Sequence, residues 1–258
     1  MLRPRIQPCL LVHQGGLFKT VGFSDPRYVG DPINAIKIFN EKEADELIVL
    51  DIDATVEGRA PDMKLIRNMA VECRMPLCYG GGVRTAAQAA EIVAAGVEKV
   101  AIGSAAVETP ELIDEMAVEL GSQSVVVVID VKKNRLGSGY HARIRNARKK
   151  VGVSAEDVAS EAEARGAGEI LVNSIDRDGR MEGYDLELAT RLRATTRLPL
   201  TFLGGAGSLQ DMASLFNRCG VVGAAAGSLF VFKGALRGVL INYPTPAQKE
   251  EVTRCVRE

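Results

Sequence analysis

The sequence predicts an α/β protein in which residues 1–258 form a single (β/α)8 TIM barrel. Eight short, mostly apolar runs alternate with amphipathic segments along the chain, and no break in composition divides them. Continuously apolar strands are typical of parallel sheets that are covered on both faces. Eight βα units in one chain favour a closed barrel. A doubly wound open sheet is the structural alternative, which an internal repeat in the chain disfavours.

The predicted elements follow from apolar pattern and local end signals. The dipeptides Asp31-Pro32 and Thr109-Pro110 are typical of helix N-termini, and Gly96 lies where a helix should end. We predict strands over residues 5–12, 46–52, 77–79, 99–102, 125–130, 169–174, 200–203 and 221–226. The clearest predicted helices cover residues 62–73, 86–95, 111–120 and 154–165.

The repeat relates two predicted half-barrels, of about residues 1–122 and 123–258. Residues 46–53 (ELIVLDID) match 169–176 (EILVNSID), and residues 76–82 (PLCYGGG) match 199–205 (PLTFLGG). Residues 101–105 (AIGSA) match 225–229 (AAGSL), and residues 9–12 (CLLV) match 128–131 (VIDV). Two joined half-barrels would leave no free sheet edge.

Composition limits the classes of function. A net charge of −1 gives no reason to expect nucleic acid or a membrane surface as a partner. No apolar run approaches the roughly 20 residues that span a bilayer, and the N-terminus lacks a signal-peptide pattern. Five cysteines and two histidines show no metal-ligand spacing, so we expect free thiols in the cytoplasm, no metal and no cofactor.

Two sets of glycines suggest anion binding at the C-terminal ends of the strands, where active sites of such barrels lie. Glycine lets backbone N–H groups approach a phosphate closely, and helix N-termini favour anions. Two symmetric sets predict a two-ended, bisphosphate-sized ligand. The alternative is turn geometry inherited through duplication. One set is Gly81-Gly82 with Gly103-Ser104, and the other is Gly204-Gly205 with Gly227-Ser228.

Carboxylates for acid–base chemistry are expected at the same end of the barrel. Asp130 is the best-placed candidate, since it follows a run of valines and an isoleucine, while Asp51, Asp176 and Asp178 end other strands. Each of them has an alternative role in capping the next turn. The repeat supplies no partner for Asp130, because the matching position is Leu11.

Four charged residues stand at the starts of predicted strands one, two, four and six, and so at the opposite end of the barrel. They are Arg5, Glu46, Lys99 and Glu169, two of each sign, and we expect them to form a closed salt-bridged ring. A structural seal and a gate are both open as its role. A buried ring must be fully paired, because an unpaired member costs about 3–5 kcal/mol.

Two long connections should project from the catalytic end. Residues 132–150 contain many basic side chains and no acid, which suits an anionic substrate, a partner protein or simply a solvated hairpin. Residues 18–32, with Lys19, are predicted to be a flexible lid.

These motifs together resemble the cyclase subunit of imidazole glycerol phosphate synthase over essentially the whole chain. The matching stretches include residues 5–10 (RIQPCL), 30–32 (GDP), 80–82 (GGG), 121–127 (GSQSVVV), 166–170 (GAGEI) and 174–179 (SIDRDG). The resemblance implies a barrel whose N-terminal face binds a glutaminase subunit and passes ammonia to a bisphosphate substrate. It makes Arg5, Glu46, Lys99 and Glu169 an ammonia gate and adds Asp178 and Gly179 to the phosphate-binding residues.

The chain also departs from this family at specific positions. Of two catalytic aspartates that the resemblance implies, the second matches Asp130 and the first falls on Leu11. A phosphate-facing serine falls on Leu203, and an Asn-Thr pair falls on Gly103-Ser104. A leucine cannot transfer a proton, and general acid–base catalysis is typically worth about 10²–10⁴-fold.

This pattern is similar to divergent cyclase-like proteins associated with bacterial surface polysaccharide synthesis. The leading hypothesis is an ammonia-conducting barrel that receives ammonia from a glutaminase partner. It would pass the ammonia to an enzyme that amidates a nucleotide-linked sugar. The alternatives are an authentic cyclase subunit of histidine biosynthesis and a non-catalytic scaffold.

Overall fold

The computed structural model describes residues 3–134, 139–234 and 236–254. Within them, eight parallel strands close into a barrel, which confirms the predicted fold. The last barrel strand pairs with the first (Gly223 opposite Arg5), and the sixth pairs with the fifth (Glu169 opposite Val126), so no strand of the cylinder is an edge. The strands are β1 (Arg5–His13), β2 (Leu47–Asp51), β3 (Leu77–Gly80), β4 (Lys99–Ile102), β5 (Val125–Lys133), β6 (Glu169–Ser174), β7 (Leu200–Leu203) and β8 (Gly223–Ala226).

The helices surround the barrel and begin near the predicted residues. Asp31 caps the first helix by accepting a hydrogen bond from Asn34 N over 2.9 Å. Thr109 provides no such cap, because its helix begins after Pro110 without a side-chain hydrogen bond. The described helices are Pro32–Glu41, Ala54–Glu57, Met63–Glu72, Ala86–Ala94, Ser104–Glu108, Glu111–Leu120, the 3-10 turn Ser122–Ser124, Ala155–Ala164, Leu186–Thr195, Leu209–Cys219, Ser228–Val231 and Pro246–Thr253.

The two long connections form antiparallel strands. Strands Gly16–Val21 and Ser24–Gly30 make a hairpin that pairs with the end of β1, and this hairpin contains most of the predicted lid, whose flexibility stays a prediction. Strands Tyr140–Ile144 and Lys149–Ser154 likewise extend from β5, with residues 135–138 of the basic loop outside the described residues. A short ribbon, Phe232–Lys233 with Gly238–Val239, follows the last βα unit.

Apolar side chains fill both sides of the barrel wall. Successive side chains of a strand point to opposite faces. Ile6 and Leu10 therefore pack against the helices, while Cys9 and Leu11 lie inside. The inner cluster consists of Cys9, Leu11, Ile48, Leu50, Cys78, Ala101, Val126, Val128, Leu171, Leu203 and Ala225. Across the described ranges, no helix has the length and apolarity to cross a membrane.

Candidate functional site

The four charged residues at the strand starts form a closed ring, hereafter the charged ring. Arg5 donates to Glu46 over 2.6 Å and to Glu169 over 2.7 Å. Lys99 donates to the same two carboxylates, over 2.7 Å to Glu46 and 2.8 Å to Glu169. Each cation thus bridges both anions and each anion accepts from both cations. The ring closes the N-terminal end of the barrel.

Mutual pairing favours the ionised forms of Arg5, Lys99 and Glu169 in the charged ring. Burial alone would raise the pKa of Glu169, but Arg5 and Lys99 outweigh burial and lower it. For Lys99, burial acts to lower the pKa, and the two glutamates outweigh that effect and raise it. Arg5 is the most exposed member, with 29% of its side chain accessible, so the ring has one face toward solvent. A protein bound there would contact Arg5 first.

An apolar interior separates the charged ring from the opposite end. The inner cluster lies between them, and its members are hydrocarbon side chains and two cysteines. Burial raises the pKa of Cys9 to about 11 and raises that of Cys78 well above its usual range, so both are neutral thiols. The barrel interior between the two ends is therefore lined by uncharged side chains and disfavours ions.

A pocket of about 1040 Å³, which includes the open solvent at its mouth, lies at the C-terminal ends of the strands. We call it the upper pocket. It brings together Lys19, Asp130 and Asp178 with two leucines, Leu11 and Leu203. The lining also includes Gly103, Ser104, Gly179, Gly205, Gly227 and Ser228, while Gly82 lines a neighbouring pocket that shares Gly103 and Ser104.

Asp130 is a carboxylate of the upper pocket whose pKa is raised. Burial raises its pKa to about 7, a hydrogen bond from Asn173 Nδ2 over 3.2 Å opposes this, and the charge of Asp178 adds to it. A carboxyl group that titrates near neutral pH can act as a general acid or base. Leu11 also lines the pocket and offers no second proton carrier.

Lys19 extends from the hairpin into the upper pocket. Its amino group donates to the backbone carbonyl of Cys9 and occupies the space above Gly227, where a Cβ would overlap the Lys19 side chain. Burial lowers the pKa of Lys19, and the charge of Asp178 partly offsets that effect. The predicted lid residue is thus already placed inside the pocket.

Asp178 holds the hairpin against the barrel. Its carboxylate accepts from Thr20 Oγ1 over 2.7 Å and from Phe23 N over 3.1 Å. Gly179 allows close approach, because a Cβ there would overlap the Thr20 carbonyl oxygen. A carboxylate repels phosphate, so any phosphate contact from this loop has to come from its backbone.

The two glycine sets have matching backbone conformations. Gly82 and Gly205 both have positive φ, 76° and 106°. Gly103 and Gly227 precede short helices with φ/ψ of −113°/−79° and −104°/−73°. The pairs face the same end of the barrel, as the predicted two-ended ligand requires. Ser104 Oγ accepts from Arg145 N over 2.8 Å. The hairpin of strands Tyr140–Ile144 and Lys149–Ser154, hereafter the basic hairpin, therefore covers one side of that set.

The remaining predicted carboxylates have capping roles. Asp51 Oδ1 accepts from the backbone N–H groups of Asp53 and Ala54, over 2.9 and 3.0 Å. Asp176 accepts from Lys133 N over 2.9 Å and lies outside the upper pocket. For these two, the alternative interpretation of a strand-terminal turn cap describes their contacts. No group of three or more His, Cys, Asp or Glu suited to a metal occurs in the described chain.

The geometry of a charged ring, a neutral interior and an upper pocket agrees with the family resemblance. The sequence profile of the family described as "Histidine biosynthesis protein" matches residues 5–237, and the chain belongs to that family.

Named relatives align over nearly the whole chain. A Leptospira interrogans protein named "Putative imidazole glycerol phosphate synthase subunit HisF" is 58% identical over 250 residues, which cover 97% of this chain and 98% of that protein. A Pseudomonas aeruginosa protein named "Putative imidazole glycerol phosphate synthase subunit hisF2" is 49% identical over 244 residues, 95% and 97% of the two chains. The "Imidazole glycerol phosphate synthase subunit HisF" of Alkaliphilus metalliredigens is 40% identical over 230 residues, 89% and 91%.

Three polar residues near the site were not predicted from the sequence. Asn173 is the hydrogen-bond partner of Asp130, while Gln7 and Thr201 lie in the barrel interior beside Glu169. Polar residues at inward positions of otherwise apolar strands were the signal that could have identified them.

Proposed function

We propose that this protein is the ammonia-conducting barrel of a glutamine-dependent amidotransferase. A glutaminase partner docks at the N-terminal face and delivers ammonia to the charged ring. The closed ring, followed by a neutral apolar interior that leads to the upper pocket, is the observation that supports this proposal. The proposed setting is the cytoplasm, where glutamine is the nitrogen donor.

The ring acts as the gate in this proposal. Four charge-assisted hydrogen bonds close the path, and displacement of Lys99 opens it without breaking the two bonds of Arg5. Above the ring, the inner cluster offers no charged group that could protonate ammonia. Ammonia would therefore travel as the neutral molecule.

The ammonia acceptor is a separate question. In the upper pocket, Leu11 and Leu203 replace groups that the resemblance assigns to proton transfer and phosphate contact. This favours transfer to a third enzyme at the C-terminal face, which amidates a nucleotide-linked sugar in surface polysaccharide (O-antigen-type) synthesis. The basic hairpin, with exposed Arg145 and Lys149, is the proposed docking element.

A second candidate is the authentic cyclase subunit of imidazole glycerol phosphate synthase in histidine biosynthesis. The names of the relatives support it more directly than they support sugar amidation, and no name among the three mentions a sugar. Asp130, with its pKa of about 7, supplies one acid–base group for that reaction. A non-catalytic scaffold is the third possibility, in which the ring serves stability alone.

Turnover by the purified barrel separates these candidates. The assay supplies excess ammonia and the family's ribulosyl phosphate substrate to wild type, Leu11→Asp and Leu11→Asn. Conduit function predicts no turnover by wild type and some by Leu11→Asp, with Leu11→Asn as the control that lacks a titratable group. Clear turnover by wild type would establish the cyclase and reject sugar amidation.

Gating is tested by reversing the charge of Lys99 to Glu in the reconstituted complex. A gate predicts that glutamine-dependent transfer changes more than transfer from added ammonia. Equal effects on both reactions would contradict the gate, and an effect on folding alone would favour the scaffold.

A further inference from the structure

A carboxamide lies in the barrel interior directly above the charged ring. Gln7 is two residues after Arg5 on β1 and two before Cys9, so its side chain shares their inward face. It is 1% exposed, and Nε2 has no hydrogen-bond partner among the described residues. An unpaired buried amide costs free energy, about 1–3 kcal/mol.

The Thr201 hydroxyl can pair with only one end of this amide. Thr201 Oγ1 lies 2.6 Å from Glu169 Oε1 and 3.0 Å from Gln7 Oε1, but it carries a single proton. The charged and closer Glu169 takes that proton. If the amide is turned by 180°, Nε2 donates to Thr201 and Oε1 becomes the unpaired atom. In both orientations one polar end of Gln7 lacks a protein partner.

The structure makes room for this side chain. Gly223 on β8 has no positive φ, so its backbone does not require glycine. A Cβ at Gly223 would instead overlap both Thr201 Oγ1 and Gln7 Oε1. Three residues from β1, β7 and β8 thus fit together to place a carboxamide where an apolar residue would be expected.

We propose that Gln7 is a binding station for ammonia between the charged ring and the inner cluster, and this inference rests on the conduit function proposed above. Ammonia carries three N–H donors and one lone pair, so it can form a hydrogen bond with the unpaired end of the Gln7 carboxamide in either orientation. The Glu169 and Thr201 oxygens beside it accept further N–H groups. The station lowers the cost of moving ammonia from a charged site into an apolar one.

Water is similar in size to ammonia and also both donates and accepts hydrogen bonds, so the test must distinguish the two molecules. The probe is ammonium chloride added to the isolated protein at alkaline pH, where neutral ammonia is present, with sodium chloride at equal ionic strength as the control. The readout is the side-chain ¹⁵N–¹H₂ resonance of Gln7, which is identified by its loss in Gln7→Met. Exposed amides such as Gln210 report non-specific effects.

A saturable shift of the Gln7 resonance with ammonium chloride, absent with sodium chloride and at acid pH, is expected. Thr201→Val should abolish this shift, because the Gln7 carboxamide then loses the hydroxyl group that fixes its position. No response to ammonia would mean that the station holds only water, and would overturn the inference. This experiment needs no partner, so its failure is independent of the conduit function.

The functional arm uses the complete complex. Gln7→Met keeps the side-chain length but removes the carboxamide, and we expect glutamine-dependent transfer to fall about threefold to tenfold, the worth of one hydrogen bond. Transfer from added ammonia, and circular dichroism of the barrel, should be unchanged. Absence of glutamine-dependent transfer in wild type would reject the conduit itself. Equal transfer by wild type and Gln7→Met would reject the station alone.

Discussion

Lys99 Nζ lies 2.8 Å from Glu169 Oε2, although 70 residues separate them in the chain. Their strands, β4 and β6, are not neighbours, since β5 lies between them. The ion pair therefore spans the interior of the barrel and is not part of its wall. The ion pair of Lys99 with Glu46 also joins strands that are not neighbours, since β3 lies between β2 and β4. Lys99 thus bridges two carboxylates across the interior of the barrel.

Removing Lys99 should destabilise the protein strongly. Lys99→Met leaves Glu46 and Glu169 buried with one cation for two anions, and we expect the free energy of unfolding to fall by about 3–5 kcal/mol. Lys133→Met is the matched control, because Lys133 and Glu187 form a solvent-exposed ion pair, which contributes little to stability. Urea unfolding of both variants measures the difference. Similar losses in the two would show that the ring is not a buried network.

The titration of Asp130 predicts a pH-dependent stability. Its pKa rises from 3.8 to about 7 on folding, so between these values the folded protein binds more protons than the unfolded chain. Stability then falls as pH rises through this window. Asp130→Asn removes the effect while its amide oxygen still accepts from Asn173. We expect the free energy of unfolding of the variant, relative to that of wild type, to increase by about 2–4 kcal/mol between acid and neutral pH.

Chemical unfolding across this pH range checks the prediction. Parallel stability curves for wild type and Asp130→Asn would mean that Asp130 remains ionised in the folded protein. A general acid–base role for Asp130 would then lose its support.

Gly227 and Lys19 should be energetically coupled. A methyl group at Gly227 overlaps the end of the Lys19 side chain, so Gly227→Ala should displace the Lys19 amino group from the Cys9 carbonyl and cost about 1 kcal/mol. In a Lys19→Ala background the same substitution should cost little, because there is no Lys19 amino group to displace from the Cys9 carbonyl. Gly152→Ala, with no atom within 4 Å of its added Cβ, is the control and should be additive with Lys19→Ala. Additivity of Gly227→Ala with Lys19→Ala would contradict the observed contact.

The Thr20–Asp178 hydrogen bond should hold the hairpin closed. Thr20→Val removes the donor and keeps the shape, and about 1–2 kcal/mol of local stability should be lost. The exposed Arg27 on the hairpin then becomes a faster site of tryptic cleavage. Ser214→Ala, which removes a hydroxyl bond within a helix, is the control and should leave this cleavage rate unchanged. Unchanged cleavage in Thr20→Val would show that backbone pairing alone fixes the hairpin.

The sequence by itself determined the barrel and the charged ring. Strand positions are local, since apolar runs of four to nine residues between capped helices can be found without knowing the partners. Arg5, Lys99 and Glu169 each begin a strand in the structure, as the strand pattern predicted. Because parallel strands bring their first residues to one end, strand position alone predicted that these charges would meet. The half-barrel duplication and the roles of the ring and of the phosphate-binding residues stay predictions.

Only the tertiary structure decided which polar groups are paired. Asp51 and Asp130 both end apolar strands, yet the first caps a turn while the second accepts a hydrogen bond from Asn173 and has a raised pKa. Gln7 and Thr201 are 194 residues apart, and no pattern of spacing links them. Hydrogen bonding and burial depend on distances of a few ångströms between elements that are remote in the chain. Strand periodicity fixes the face on which a side chain lies, and packing fixes what it contacts there.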